Sequence, residues 1–115
     1  MQKLLLIVLL AALLSGCGPA AAPACSVEEQ AACPANALTY DTGIGTLLSE
    51  RCSPCHAAGG VEAQRLLTDY AHVSGLRMSI ASQLVTCSMP PAGAPQLSAS
   101  ERQQVLDWLT CGAKK

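Results

Sequence analysis

The chain contains no phenylalanine, and one tryptophan and two tyrosines are its only aromatic side chains. A domain of this length has a marginal core even with a normal supply of large apolar groups, so much of the buried surface has to come from elsewhere. Charge is scarce too, with 13% of residues charged and a formal net charge of −1. No basic stripe exists, which excludes the electrostatic footprint of a nucleic-acid binder. No segment alternates apolar and polar residues as a half-buried strand does, and there is no internal repeat or block of like charge. No apolar run reaches the ~20 residues that a spanning helix needs. A single all-α domain is what these absences leave.

What is present begins with a short apolar run. Lys3 precedes residues 4–14, which are unbroken Leu, Ile, Val and Ala, and small residues follow, the layout of a secretory signal. Leu14-Ser15-Gly16-Cys17 resembles a bacterial lipoprotein processing site, where cleavage before the cysteine leaves it lipidated. We expect residues 1–16 to be a lipoprotein signal peptide and Cys17 the lipidation site, the alternatives being an ordinary secretory signal or an uncleaved anchor. The location expected is the bacterial cell envelope, lipid-anchored and facing the periplasm or exterior. Residues 18–24 are small and proline-punctuated, as suits a tether. Residues 17–37 then form the tether and a disulfide-pinned N-terminal segment, and 38–115 the domain proper.

The segment Cys52-Ser53-Pro54-Cys55-His56 carries the chemistry. A Cys-x-x-Cys-His run is the attachment signature of c-type haem, with both thiols adding to porphyrin vinyl groups and the histidine placed as proximal iron ligand. A thioredoxin-like site would need a βαβ pattern, which is missing. A zinc site would need a second ligand pair at similar spacing, and a passive disulfide across two intervening residues is strained. One covalent haem would also supply the buried apolar surface that the side chains lack.

Seven cysteines in an exported chain invite pairing. With Cys17 lipidated and Cys52 and Cys55 on haem, Cys25, Cys33, Cys87 and Cys111 remain. They form two disulfides in our reading, or else ligate a metal, although none sits in a CxxC pair. Three pairings are possible and sequence alone does not choose among them; the one we favour is Cys25–Cys33 with Cys87–Cys111.

Helical spacing places a first helix over 41–51, capped by Asp41 or Thr42, with Ile44, Leu47 and Leu48 as its apolar stripe and Gly43 and Gly45 weakening its start. Pro54 prevents simple continuation beyond Ser53. Residues 62–73 read as a second helix, with Gly75 as stop, and 79–87 as a third. Met89-Pro90-Pro91 fixes two backbone dihedrals and removes two amide donors, giving a stiff segment suited to holding one side chain in place. Ser98 and Glu101 form a capping box for the last helix, whose inward stripe is Val105, Leu106 and Leu109, flanked by Trp108; Gly112 ends it and Lys114 and Lys115 follow.

Over residues 38–113, the helix leading into the CxxCH run, the Met-Pro-Pro segment and the C-terminal helix with Trp108 resemble class I cytochromes c, in particular small single-haem bacterial lipoprotein cytochromes. The resemblance implies a helical domain wrapped around one haem c, with first and last helices crossing beside it. It implies that Cys52 and Cys55 are thioether anchors, His56 the proximal ligand and Met89 the sixth ligand. The four extra cysteines and the short spacing depart from the usual pattern. A thioether at the sixth position stabilises ferrous iron and raises the potential; Met78 and His72 are the rival ligands. Tyr40, Tyr70 and Trp108 either pack around the ring, pair with a propionate, or serve as ordinary core. The function expected is one-electron transfer without substrate chemistry, between a redox donor and acceptor that can include a membrane oxidoreductase. The alternatives are a haem enzyme or gas sensor with a displaceable sixth ligand, for which Arg77 or His72 would be the acid–base partner, and a haem subunit docked on a larger oxidoreductase.

Overall fold

The computed structural model describes residues 25–28 and 32–115. The expected signal peptide, the Cys17 lipidation site and the tether up to residue 24 lie outside the described residues. Within them the chain is helical and contains no strand, and no helix is long and apolar enough to cross a membrane.

Thr39, rather than Asp41 or Thr42, caps the first helical element. It is extended, its Oγ1 accepts from the Thr42 amide, and its own amide donates to Thr42 Oγ1 at 2.8 Å. This threonine pair does the work of a capping box, which a search for Glu or Gln at the third position passes over. A turn kinked at Gly43, whose backbone is not helical, spans Tyr40–Ile44 and runs into α1 (Gly45–Arg51). Gly45 is required here: a Cβ on it would lie 2.9 Å from the Tyr40 carbonyl oxygen and 3.0 Å from the Tyr40 ring. Ile44 and Leu48 are fully buried.

The short helix α2 (Ser53–His56) carries the CxxCH run, with Pro54 in its first turn, where a missing amide donor costs nothing. The helix expected over 62–73 is not formed as such. Helix α3 (Tyr70–Gly75) begins only after Asp69, whose carboxylate accepts from the His72 amide at 3.0 Å. The preceding backbone is committed elsewhere: Glu62 donates to the Cys55 carbonyl, Leu67 to the His56 carbonyl, and Ser53 Oγ to the Leu67 carbonyl. Tertiary bonds to α2 override the local helical spacing. Gly75 ends α3 as expected. Helix α4 (Arg77–Val85) is the third predicted helix shifted towards the N-terminus, and it stops before Cys87, which adopts a left-handed φ of 59°.

Helix α5 (Ala99–Thr110) matches expectation closely. Ser98 Oγ accepts from the Glu101 amide at 3.1 Å and Glu101 Oε2 accepts from the Ser98 amide at 2.8 Å. Val105, Leu106, Trp108 and Leu109 are buried, and Gly112 takes a positive φ of 94° just past the helix. The Tyr40–Ile44 turn packs on α5. The Lys114 carbonyl joins the two by accepting from both the Tyr40 amide and Trp108 Nε1, at 2.9 and 2.7 Å. Arg51 also reaches across to Glu101, at 2.7 Å. Tyr40, Tyr70 and Trp108 form one mutual cluster, with centroids 5.6–6.5 Å apart. Of the roles open to them, core packing is the one the structure displays.

The disulfides join Cys25 to Cys87 and Cys33 to Cys111, with Cα separations of 5.9 and 5.6 Å. This corrects the favoured pairing of sequence neighbours. The N-terminal segment lies along α5, held by Gln103, which accepts from the Glu28 amide at 2.9 Å and donates to its carbonyl. Its two cysteines thereby meet the ends of α4 and α5 instead of each other.

Candidate functional site

One cavity of about 980 Å³ receives both halves of the expected site. Cys52, Cys55 and His56 line it from α2, and Met89, Pro90 and Pro91 line it from the stiff segment after α4. Leu66, Leu67, Leu76, Ile80, Leu84 and Leu97 complete a largely aliphatic wall. The size is at the upper end for a ligand pocket, roughly 300–1,000 Å³, and the few polar groups on an apolar wall are typical of one.

Cys52 and Cys55 are half-buried and not bonded to each other. Burial, and secondarily the neighbouring Cys55 thiol, push the Cys52 thiol up to about 11. A disulfide oxidoreductase needs the opposite, a thiol held low enough to ionise near neutral pH. Among the described residues no group of three or more His, Cys, Asp and Glu side chains gathers as a metal cluster.

His56 is held by its backbone and its ring. Nδ1 lies 2.9 Å from the Arg65 carbonyl. A carbonyl can only accept, so Nδ1 carries the proton; in the neutral ring that leaves the lone pair on Nε2, the tautomer that a metal-binding imidazole requires. The loop supplying that carbonyl folds back tightly. Gly60 allows it to do so, since a Cβ there would stand 2.3 Å from the Cys55 carbonyl oxygen.

Met89 is half-buried on the cavity wall and its backbone is tied on both sides. Its amide donates to the Gln83 carbonyl, and its carbonyl accepts from Arg102 Nη1 at 2.8 Å. Gln96 braces the rest of the segment, donating to the Pro91 and Ala94 carbonyls. Of the rival ligands, Met78 is exposed on α4 and is no part of the wall. His72 does line the cavity, half-exposed, with Nδ1 2.6 Å from Asp69 Oδ2. The His72 amide, and then its ring, hold the Asp69 carboxyl below the usual range. Arg77 does not line the cavity, nor does any of the three aromatic residues.

Two contributors escaped the sequence. The Arg65 carbonyl that orients His56 is a backbone group, and no side-chain motif announces it. Arg102 did leave a signal, because it shares the helical face of Val105, Leu106 and Leu109 and is 1% exposed. A charge on a core stripe marks a specific partner within.

No protein-family model matches the chain, and no curated protein or solved structure matches it either.

Proposed function

We propose that this chain is a monohaem c-type cytochrome that carries one electron at a time at the bacterial cell envelope, its helices wrapped around haem c. The observation that carries the proposal is the convergence of Cys52, Cys55, His56 and Met89 on one cavity, with the His56 ring fixed through Nδ1 on the Arg65 carbonyl. The residues fit the group. Both thiols are half-buried on the cavity wall, and burial holds the Cys52 thiol up, which disfavours disulfide exchange there. The aliphatic wall suits a porphyrin face, and the cavity is large enough for one. Haem bound there supplies reversible one-electron exchange at iron. Cys52 and Cys55 would anchor it covalently, His56 would ligate from its backbone-fixed ring, and Met89 would supply the soft sixth ligand from a segment whose backbone is held still. A ligand set that stays fixed favours electron transfer, since little has to rearrange. Lipid at Cys17 would keep the carrier near its donor and acceptor, a membrane oxidoreductase among them.

A second reading, a haem enzyme or gas sensor, is favoured by one observation, His72 on the same wall with Asp69 behind it. The test is to express the chain with haem-maturation machinery and record intact mass, a reduced-minus-oxidised spectrum and carbon monoxide binding. A covalent haem adduct with a ferrous form inert to carbon monoxide is expected. A colourless protein with two titratable thiols at 52 and 55 overturns the haem proposal, and prompt carbon monoxide binding favours the second reading.

A further inference from the structure

Arg102 is buried to 1% exposure, the largest side chain among those fully enclosed. Its Nη1 donates to two carbonyls, Leu84 at 3.1 Å and Met89 at 2.8 Å, while its Nε has no hydrogen-bond partner among the described residues. Enclosing a guanidinium is costly, and a well-packed apolar side chain commonly serves a core better. The Val105–Leu109 face could take such a residue, so the use of arginine there has to be sought in what it grips. One arm joins the last turn of α4 to the residue whose side chain lies on the cavity wall. The Leu84 carbonyl has a second donor in the Cys87 amide, whereas Arg102 is the donor recorded at the Met89 carbonyl.

We infer that Arg102 is the positioning residue for Met89: its guanidinium fixes the Met89 carbonyl and so holds the methionine sulfur at the point where the sixth ligand belongs. The inference rests on the haem reading and deepens it. It predicts that the hold on Met89, as distinct from the fold, depends on position 102. A hydrogen bond from a charged donor is strong enough to shift a local equilibrium roughly tenfold or more.

The experiment compares holoprotein of wild type, Arg102→Met, Arg102→Lys and Leu109→Ala well below their unfolding temperatures. The readouts are the sulfur-to-iron charge-transfer band, the midpoint potential and the affinity of the ferric form for added imidazole. Arg102→Met is expected to weaken the band, lower the potential and raise imidazole affinity roughly tenfold. Arg102→Lys, which keeps a cation but has a single nitrogen for two carbonyls, should fall between it and wild type. Leu109→Ala, a core truncation on the same helix, should match wild type in all three. Band and imidazole affinity unchanged at position 102, with only the melting temperature reduced, overturn the inference. If Arg102→Met fails to fold with haem, Arg102→Lys decides alone by the same criterion. A wild type with haem but no charge-transfer band overturns the His56/Met89 ligation and this inference together, which separates the two failures.

Discussion

Gly60 and Gly75 make a paired test of how tightly the CxxCH run is gripped by the loop after it. A methyl group at 60 would sit 2.3 Å from the Cys55 carbonyl oxygen, 2.7 Å from its carbon and 3.1 Å from the Ala57 oxygen, all backbone atoms with no rotamer to yield. The loop must therefore move away from α2 by close to an ångström. Two bonds of 2.9 Å, Gly60 amide to Ala57 and Glu62 amide to Cys55, are the first to suffer. With one or both bonds lost at ~1 kcal/mol each, and 1–3 kcal/mol for overpacking, Gly60→Ala should cost about 2–5 kcal/mol. A Cβ at Gly75 meets no protein atom within 4 Å and no positive φ forbids it, so in the chain without haem Gly75→Ala should be neutral or stabilising by up to ~1 kcal/mol. Urea unfolding of the two variants without haem, each against wild type, measures both. With a slope of about 1 kcal/mol/M for a small domain, the Gly60 variant should lose roughly 2 M or more from its midpoint. On the haem proposal, incorporation should drop as well, because the Arg65 carbonyl that orients His56 belongs to the same loop. A Gly60→Ala midpoint within 0.5 M of the Gly75→Ala value, on the same order-of-magnitude slope, would refute the tight packing.

Replacing both Cys25 and Cys87 by serine removes a cross-link of 62 residues and should lower stability by about 4 kcal/mol on the chain-entropy account; an unchanged urea midpoint would exclude that pairing. Trp108→Phe keeps a ring in the aromatic cluster but deletes the donor to the Lys114 carbonyl, at an expected cost of about 1–2 kcal/mol by thermal melts, and a loss below a few tenths would show that the bond is idle. The Glu101 carboxyl is held below its ordinary 4.5 by the Ser98 amide and then by Arg51. Its contribution is complete above pH 4.5 and disappears as pH falls through the lower folded value. The melting temperature of Glu101→Gln should thus fall less steeply with acid than that of wild type, and parallel curves through that window would contradict it.

The C-terminal helix was readable because its determinants are local. Ser98 and Glu101 are one turn apart, Gly112 follows the last buried leucine, and the stripe repeats at helical spacing. The residues of the CxxCH run were readable as a motif, and the structure brings them to one cavity with Met89. The 62–67 stretch was misjudged because its amides bond to α2, a partner that spacing within the stretch cannot reveal. Thr39 was missed because two threonines replace the usual capping pair. The disulfide pairing is not legible in the sequence, because it depends on the path of the N-terminal segment along α5, where Gln103 holds Glu28. Arg102 is legible only by its place on the apolar stripe with Val105, Leu106 and Leu109, since its residue type alone is ordinary on an amphipathic helix.

The two cross-links are interlaced, Cys25 with Cys87 and Cys33 with Cys111, and residues 52–56 fall inside both covalent rings. A chain made from its N-terminus therefore exposes Cys25, Cys33, Cys52 and Cys55 together before either correct partner has been synthesised. Early oxidation can only join wrong neighbours, and thiol–disulfide exchange must undo them. On the haem proposal, attachment at Cys52 and Cys55 before oxidation would withdraw two of the wrong partners, so the order of the two steps would set how much of the product matures correctly.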